Sequence, residues 1–363
     1  MKFKSLLFLS LFMSPSFACT DFKLTSKDGT VVIARSLEFG QDLQSNLRSS
    51  TRERSFNFKL DNNKAGLNWK GKYGYLYIDG FQVDAAFDGL NEKGLSFEYL
   101  YLPGETEYQT VPQGKESQAV PYFHFGDWVL SNFQSIDEVK TALKNIYVTQ
   151  AMLPGLGNMV LPAHAAIYEQ SGKGIVVEFY NNQINVSESI GTMTNSPRYE
   201  WHVTNLRNYI NLSALNAQPV TQGKFVFNST GQGSGAVGLP GDASPPSRFV
   251  KTAFMQKNVY QAKDPVELLN LAEHIINNVD LPAGYVRGET NGQTETDTTQ
   301  WVVFKDLTHL HLAYRTYGNL TLRHIHLDRI NFAKDAPLLK MPLAIPAQPL
   351  DYTENFLKSA DKS

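Results

Sequence analysis

Cys19 is the only cysteine among the 363 residues, and it stands where a signal peptidase would make it the first residue of the mature chain. Lys2 and Lys4 precede an apolar run of eight residues, and Ala18 comes directly before the cysteine. This is the secretory pattern, and its apolar core is too short to span a bilayer, which takes about 20 helical residues. Cleavage after Ala18 would leave on one residue a nucleophilic thiol and a free α-amine, whose ordinary pKa is about 8. We therefore predict a signal peptide over residues 1–18 and a nucleophile that carries its own general base.

Two other interpretations of Cys19 are open from the N-terminus alone. A cysteine after a signal sequence can be lipidated, but Ser16 stands where the lipidation signal usually has leucine. Lipidation would make the chain a membrane-anchored binding protein without catalysis. In the remaining alternative, the thiol is a small buried hydrophobe and the cleavage point lies elsewhere.

Two charged residues accompany the cysteine on a predicted β-hairpin. The turn signal Lys27-Asp28-Gly29 separates two short strands, the first of which begins at Cys19. Arg35 on the return strand would lie beside the thiol, where a cation lowers the pKa of a cysteine. Glu38 would hold the α-ammonium or pair with Arg35, and an ordinary salt bridge at the strand end is the alternative for both residues.

Two further polar residues lie at predicted element boundaries. Asn195 follows a predicted strand, in Thr194-Asn195-Ser196-Pro197, and its amide is a suitable donor for a developing oxyanion. The alternative for this asparagine is a helix N-cap. Arg248 follows the segment 211–247, which is rich in Gly, Pro, Ser and Asn, and it would either anchor that loop or reach the active centre.

Four histidines raise the question of a metal site. His309 and His311, and likewise His324 and His326, are two residues apart and would share a strand face. No carboxylate or cysteine completes a known metal-binding spacing, so a solvated strand face is the favoured interpretation. We predict neither a metal nor a cofactor.

Composition narrows the class of partner. The 33 basic and 35 acidic residues nearly cancel, so no positive excess favours nucleic acid or acidic membranes. A single cysteine excludes an internal disulfide, and a hydrophobic content of 42% is enough for an ample core. The expectation is a periplasmic or secreted globular protein that has no nucleic-acid partner and does not bind membranes once the signal is removed.

The elements that position these residues are predicted as alternating blocks of strands and helices. Strands are expected near 73–79, 84–88, 95–101, 163–169, 174–180, 190–195, 300–304, 309–316 and 320–327, and helices within 121–133 and at 136–146, 247–257 and 265–278. No linker divides residues 19–363, so sheet layers covered by helices are expected in a single α+β domain.

Taken together, the motifs resemble those of the choloylglycine hydrolase family. The matching residues, in the family's order, are Cys19-Thr20, Lys27-Asp28-Gly29, Arg35-Ser36-Leu37-Glu38, Asn91-Glu92-Lys93-Gly94-Leu95, Thr194-Asn195-Ser196-Pro197, Trp201-His202, Gly238-Leu239-Pro240-Gly241-Asp242, Pro246-Ser247-Arg248-Phe249 and Thr299-Gln300. The family comprises conjugated bile acid hydrolases and penicillin V acylases, which are N-terminal nucleophile hydrolases of linear amides with a four-layer αββα sandwich. The resemblance covers nearly the whole mature chain.

The resemblance also implies roles for individual residues. It makes Cys19 the nucleophile and its α-amine the base, with Arg35 tuning the thiol and Arg248 as a second active-site arginine. It makes the Asn195 side chain one oxyanion donor and the backbone N–H at Tyr101 the other.

One position departs from the family pattern. Where the family has an aspartate bonded to the N-terminal amine, this chain has Glu38. A small shift would absorb the extra methylene, or Asp21 would take over the role.

Substrate and assembly are further implications of the resemblance. Bile salt hydrolases usually carry asparagine at the position of Tyr101, so this tyrosine favours a penicillin V acylase, and the signal sequence resembles a Gram-negative periplasmic branch that also cleaves acyl-homoserine lactones. Phe39, Tyr99 and Tyr101 are expected to line a pocket for an apolar or aryl acyl group, with conjugated bile salts as the second-ranked substrate. In relatives the region of 211–247 helps to assemble tetramers, so a homotetramer, or failing that a dimer, is expected.

Overall fold

The structure, a computed structural model, describes residues 18–153, 159–290 and 293–358. The predicted signal peptide lies outside these residues except for Ala18. Two large antiparallel sheets lie face to face, and helices cover their outer faces. This arrangement confirms the expected α+β class and the αββα layering.

Twenty-one strands and six α-helices occur in the described residues. The strands are β1 (Cys19–Thr25), β2 (Val31–Phe39), β3 (Asn46–Ser50), β4 (Ser55–Phe56), β5 (Trp69–Lys70), β6 (Tyr75–Gly80), β7 (Val83–Asn91), β8 (Ser96–Tyr101), β9 (Ala119–Pro121), β10 (Tyr147–Thr149), β11 (Ala163–Tyr168), β12 (Gly174–Tyr180), β13 (Gln183–Glu188), β14 (Thr192–Met193), β15 (Val220–Gln222), β16 (Phe225–Phe227), β17 (Val286–Thr290), β18 (Gln293–Asp306), β19 (His311–Thr316), β20 (Asn319–His326) and β21 (Lys340–Pro342). The helices are α1 (Phe125–Asn132), α2 (Ile136–Ala142), α3 (Tyr199–Asn205), α4 (Pro245–Asn258), α5 (Pro265–Ile276) and α6 (Thr353–Leu357).

The two sheets draw their strands from distant parts of the chain. The first has the order β14-β1-β2-β18-β19-β20, with β17 also paired to β18. The second has the order β13-β12-β11-β8-β7-β6-β3-β21. Strand β18, close to the C-terminus, therefore pairs directly with the hairpin that carries the N-terminal motif.

Helix α5 covers the outer face of the first sheet for reasons visible in the sequence. Asp264 caps the helix by accepting a hydrogen bond from the backbone N–H of Glu267 at 2.9 Å, and Pro265 occupies the first turn. The apolar face of the helix packs on alternate residues of the hairpin, including Phe22 and Ala34. The other face of the hairpin is thereby directed between the sheets.

The segment 211–247 is largely irregular, as expected, but contains the short hairpin of β15 and β16. The residues of both strands are exposed, among them Val220, Phe225 and Phe227. Among the described residues, no helix is long and apolar enough to cross a membrane.

Candidate active site

The predicted hairpin is confirmed, and its register places the thiol. Cys19 pairs with Leu37 and Asp21 with Arg35 on antiparallel strands. Because alternate residues share a face, Cys19, Asp21 and Arg35 all point between the two sheets. Gly29 makes the turn with a φ of +89°, a conformation that favours glycine.

Arg35 is held firmly next to the thiol. Its guanidinium lies 3.8 Å from Cys19 Sγ, donates to the carbonyl oxygen of Tyr99 at 2.5 Å, and stacks 4.5 Å from the ring centre of Trp301. Asp88 supplies a carboxylate 3.6 Å away. Burial raises the pKa of the Cys19 thiol, and the positive charge of Arg35 is the main influence that opposes this rise.

Asn195 joins three parts of the candidate site. Its Oδ1 accepts hydrogen bonds from the backbone N of Cys19 and from Arg248, both at 2.7 Å. Its Nδ2 donates to the carbonyl oxygen of Tyr101 at 2.8 Å. The N-cap residue of α3 is Arg198, so the alternative interpretation of Asn195 as a helix cap is wrong.

Arg248 contacts both the loop and the candidate site, the two places that the sequence left open. Its Nε donates to the carbonyl oxygen of Ala243 and so fastens the end of the 211–247 segment. Its terminal nitrogens donate to Asn195, to the carbonyl oxygen of Cys19 at 2.5 Å and to Thr20 Oγ1 at 2.6 Å. The buried guanidinium therefore fixes the main chain of the candidate nucleophile.

The carboxylate of Glu38 has a different neighbour from those expected. Its Oε1 accepts a hydrogen bond from the hydroxyl of Thr299 at 2.9 Å, whereas the carboxylate nearest to Arg35 is that of Asp88. Burial raises the pKa of Glu38 to about 7, and the charge of Arg248 opposes this rise. The backbone N–H of Glu38 donates to the carbonyl oxygen of residue 18 at 2.8 Å, so the residue before Cys19 is held against β2.

Asp21, the suggested substitute for Glu38, is engaged elsewhere. Its Oδ1 accepts a hydrogen bond at 2.6 Å from the hydroxyl of Tyr168 in the second sheet. Burial raises the pKa of Asp21 well above its ordinary value. Its carboxyl is therefore part of the contact between the sheets.

An apolar pocket opens onto the thiol. It is a cleft that is partly open to solvent, and its lining is predominantly apolar. Phe39, Tyr99 and Tyr101 are among its lining residues, and the Tyr99 hydroxyl donates to the carbonyl oxygen of Tyr122; their role in binding an acyl group stays a prediction. The sequence did not single out the other apolar lining residues, which include Leu43, Phe81, Phe87 and Leu161. Phe81 reaches the pocket from the tight turn between β6 and β7, where its φ is +57°.

A buried charge network behind the thiol was also missed. Lys305 Nζ lies 2.6 Å from an oxygen of Asp88 and 2.5 Å from an oxygen of Glu98, and all three side chains are inaccessible to solvent. Asp88 also lies 3.6 Å from Arg35, so the network is linked through this arginine to Cys19.

Stability should fall as pH rises because of Glu98. Burial raises its pKa from the ordinary 4.5 to about 7, and Lys305 opposes the rise. Between these values the folded chain binds a proton that the unfolded chain has released, so the stabilisation is complete below pH 4.5 and is lost by pH 7. The shift corresponds to roughly 3 kcal/mol. Urea unfolding at pH 5 and pH 8 should show the fall in the wild type and a smaller one in Glu98→Gln; equal falls in both proteins would contradict the prediction.

The histidines do not form the arrangement that was considered. His309 lies in the turn before β19, where its Nδ1 contacts Asp306 at 2.8 Å, so the expectation that it shares a strand face with His311 is wrong. His311 contacts His324 at 3.0 Å and stacks on His326. In the described part of the chain, no three His, Cys, Asp or Glu side chains are arranged to hold a metal ion. The absence of a metal from the reaction stays a prediction.

Comparison with known proteins agrees with this geometry. The family described as linear amide C–N hydrolases, choloylglycine hydrolase family, matches residues 19–341. A bile salt hydrolase/transferase of Clostridium perfringens is 34% identical over 86% of this chain and 93% of its own length. A penicillin V acylase of Pectobacterium atrosepticum is 26% identical over 91% and 86%, respectively.

Solved structures give the same result. A mutant of the conjugated bile acid hydrolase from Clostridium perfringens superposes with a TM-score of 0.80 at 30% identity, covering 92% of this chain and 99% of that one. With the match over residues 19–341 and the αββα fold, this likeness establishes that the protein belongs to the choloylglycine hydrolase family of linear amide C–N hydrolases.

Proposed function

We propose that this protein is an exported amide hydrolase whose nucleophile is Cys19, exposed as the N-terminal residue by cleavage after Ala18. The observation that carries the proposal is the junction at Asn195. One amide group bonds the backbone nitrogen of Cys19, the guanidinium of Arg248 and the carbonyl of Tyr101. A thiol, a cation beside it and an amide donor thus meet where an apolar pocket opens.

The reaction follows from these groups. Cys19 Sγ attacks the substrate carbonyl while the α-amine takes the thiol proton. The same amine gives the proton to the leaving nitrogen as the C–N bond breaks, which leaves a thioester on the sulfur. Water then attacks the thioester, again with the amine as base, and the acid and the free thiol are released.

The developing negative charge requires donors on the carbonyl oxygen. An asparagine amide carries two N–H groups, and Asn195 uses one of them on Tyr101 O, so the other can donate to the oxyanion. In the proposed reaction the backbone N–H of Tyr101 is the second donor, as the family pattern implies. Removing one such donor typically costs a factor of ~10²–10³ in rate.

Glu38 is proposed to act on the α-amine from the face of β2 that is opposite to the face of Arg35. Its carboxyl is buried, its Oε1 accepts a hydrogen bond from the neutral hydroxyl of Thr299, and the positive charge of Arg248 favours its charged form. Oε2 has no hydrogen-bond partner among the described residues, so it remains available to a new cation. Cleavage after residue 18 creates that cation at the nitrogen of Cys19. Glu38→Asp should therefore keep activity, whereas Glu38→Gln should move the acidic limb of the pH–rate profile to lower pH, because the ammonium loses an anionic neighbour.

The apolar pocket supports substrates with an apolar or aryl acyl group. Phenoxyacyl amides such as penicillin V and long-chain acyl-homoserine lactones are placed first together, because the wall around the thiol is formed by Phe39, Phe81 and Phe87. Conjugated bile salts are the second candidate, and the 34% identity to a bile salt hydrolase/transferase is the observation in their favour. A methylene in an apolar pocket is worth only ~1–3 kcal/mol, so these candidates must be separated by measurement.

The deciding experiment is a hydrolysis panel on the purified exported protein. Amine release should be fastest from penicillin V or from long-chain acyl-homoserine lactones, slower from glycocholate, and at background with Cys19→Ala. Preference for glycocholate would overturn the substrate ranking but not the mechanism. Intact-mass measurement of the same sample should give a chain that starts at Cys19 without lipid; a diacylglyceryl increment would instead support the anchored binding protein.

We also propose that the protein assembles as a homotetramer through the 211–247 segment. The hairpin of β15 and β16 exposes 57–62% of Val220, Phe225 and Phe227, an apolar patch suited to burial against a second copy. Light scattering on the mature chain should give four times the subunit mass. The double variant Phe225→Ser/Phe227→Ser should lower that mass, and a single-subunit mass at all concentrations of the wild type would contradict the assembly.

A further inference from the structure

Two buried histidines form hydrogen bonds to the main chain on both sides of the Asn195 α-carbon. His164 Nε2 lies 2.8 Å from the carbonyl oxygen of Thr194, and His202 Nε2 lies 2.8 Å from the carbonyl oxygen of Asn195 itself. Each histidine is 1% exposed. Because a carbonyl oxygen can only accept, both Nε2 atoms carry the hydrogen and donate it.

Each imidazole is itself fixed by its surroundings. His164 Nδ1 lies 3.1 Å from Glu178 Oε1, and the same oxygen accepts a hydrogen bond from the backbone N–H of Tyr199 at 2.9 Å. The ring of His202 is stacked on Phe249, with centres 4.7 Å apart and planes 13° from parallel. Phe249 directly follows Arg248, so the His202 ring packs against the helix that carries this arginine.

The two rings come from different elements and meet at a segment with little regular structure. His164 lies on β11, His202 on α3, and Asn195 between β14 and α3. The backbone of such a connection lacks the regular hydrogen bonds that hold a strand or a helix in place. The imidazoles supply these bonds, one to each carbonyl next to the Asn195 α-carbon.

We propose that His164 and His202 are positioning residues that hold the oxyanion-binding amide of Asn195 in its reactive place. The inference rests on the proposed function, because it assumes that Asn195 donates to the oxyanion. An amide that stabilises a transition state must be fixed to within a fraction of an ångström, since it contributes only when it already points at the developing charge. Without the hydrogen bonds from His164 and His202, the Asn195 amide would still bond Arg248 and Cys19, but its main chain would be free to move and the amide would sample other positions.

The matched variants are His202→Gln and His202→Asn. The Gln amide nitrogen can occupy the place of imidazole Nε2, whereas the shorter Asn reaches only the place of Nδ1, an atom that has no hydrogen-bond partner among the described residues. Polarity is the same in both variants, so they differ in whether the carbonyl of Asn195 keeps its donor. His202→Asn should lower kcat by about 10- to 100-fold with KM changed less than about threefold, and His202→Gln should recover most of kcat.

Two further measurements separate positioning from a structural role. Alkylation of Cys19 by iodoacetamide needs no oxyanion donor, so its rate should be unchanged in His202→Asn. His124→Gln is the control, because His124 is also buried and bonded to a carboxylate, Asp127, but contacts neither Asn195 nor Thr194. Its kcat should equal that of the wild type. Equal kcat in the Gln and Asn variants of His202, or parallel losses in kcat and alkylation rate, would overturn the inference.

Asn195→Ala distinguishes failure of this inference from failure of the proposed function. A loss of about 10²- to 10³-fold in kcat for Asn195→Ala, with no effect of His202→Asn, would reject the positioning role alone. An unchanged kcat in Asn195→Ala would reject the oxyanion role on which both rest.

Discussion

Cys19→Ala should reduce amide hydrolysis by roughly 10⁴-fold or more, because it removes the atom that forms the covalent intermediate in the proposed reaction. The side chain is 4% exposed and loses a single sulfur, so the fold should be retained. The measurement is the rate of amine release at saturating substrate, with thermal unfolding as the check on folding.

Cys19→Ser is the matched variant, because it keeps a nucleophilic atom of similar position. The hydroxyl is much harder to ionise than the thiol, and the arginine at 3.8 Å that assists a thiolate cannot compensate for that difference. Activity should therefore be far below that of the wild type. Full turnover in Cys19→Ala would show that another group attacks the amide and would end the proposed mechanism.

Local features of the sequence were sufficient to predict that Cys19 and Arg35 lie next to each other. The hairpin from Cys19 to Arg35 is set by one turn with Gly29 at positive φ, so the partners are only 16 residues apart and their shared face follows from strand periodicity. The caps of α2 and α5 follow from Ser135 and Asp264 in the same way. Asn195 could be linked to the thiol only through the family motifs, because 176 residues separate the two.

Contacts between the sheets could not be predicted from local pattern. Lys305 and Asp88 are 217 residues apart, and each directly follows a run of apolar residues in its strand, at 301–304 and 85–87. The alternation of residues in either strand does not indicate which buried charged side chains contact each other. Glu38 illustrates the same limit, since its partner Thr299 is 261 residues away.

The contacts of His164 and His202 were missed for a related reason, although Trp201-His202 is one of the family motifs. A single histidine in an apolar strand, such as His164, is usually a satisfied core residue, and the sequence gives no sign of the carbonyl that it bonds. Only the histidines at 309–326 have a regular spacing in the sequence. The structure gives the isolated histidines the more specific contacts, because they bond the segment that carries Asn195.

The buried charge network should make Lys305 one of the most sensitive positions for stability. Its ammonium is inaccessible to solvent and lies between Asp88 and Glu98, at 2.6 and 2.5 Å. Lys305→Met removes the cation and leaves two carboxyls that are inaccessible to solvent, with Arg35 at 3.6 Å from Asp88 as the remaining positive charge. Breaking a buried ion pair by removing one partner typically costs about 3–5 kcal/mol, because the other charge is left uncompensated.

The free energy of unfolding from urea titration at pH 8 should fall by that amount, roughly 3–5 kcal/mol. The loss should be smaller at pH 5, because burial has raised the pKa of Glu98 to about 7 and protonation removes its charge. Adding Glu98→Gln to Lys305→Met should restore part of the stability by removing one uncompensated carboxylate.

Lys263→Met is the control, because it breaks an exposed pair with Glu267 and should leave the free energy of unfolding unchanged within error. An equally small effect of Lys305→Met would mean that the network does not stabilise the contact between the sheets.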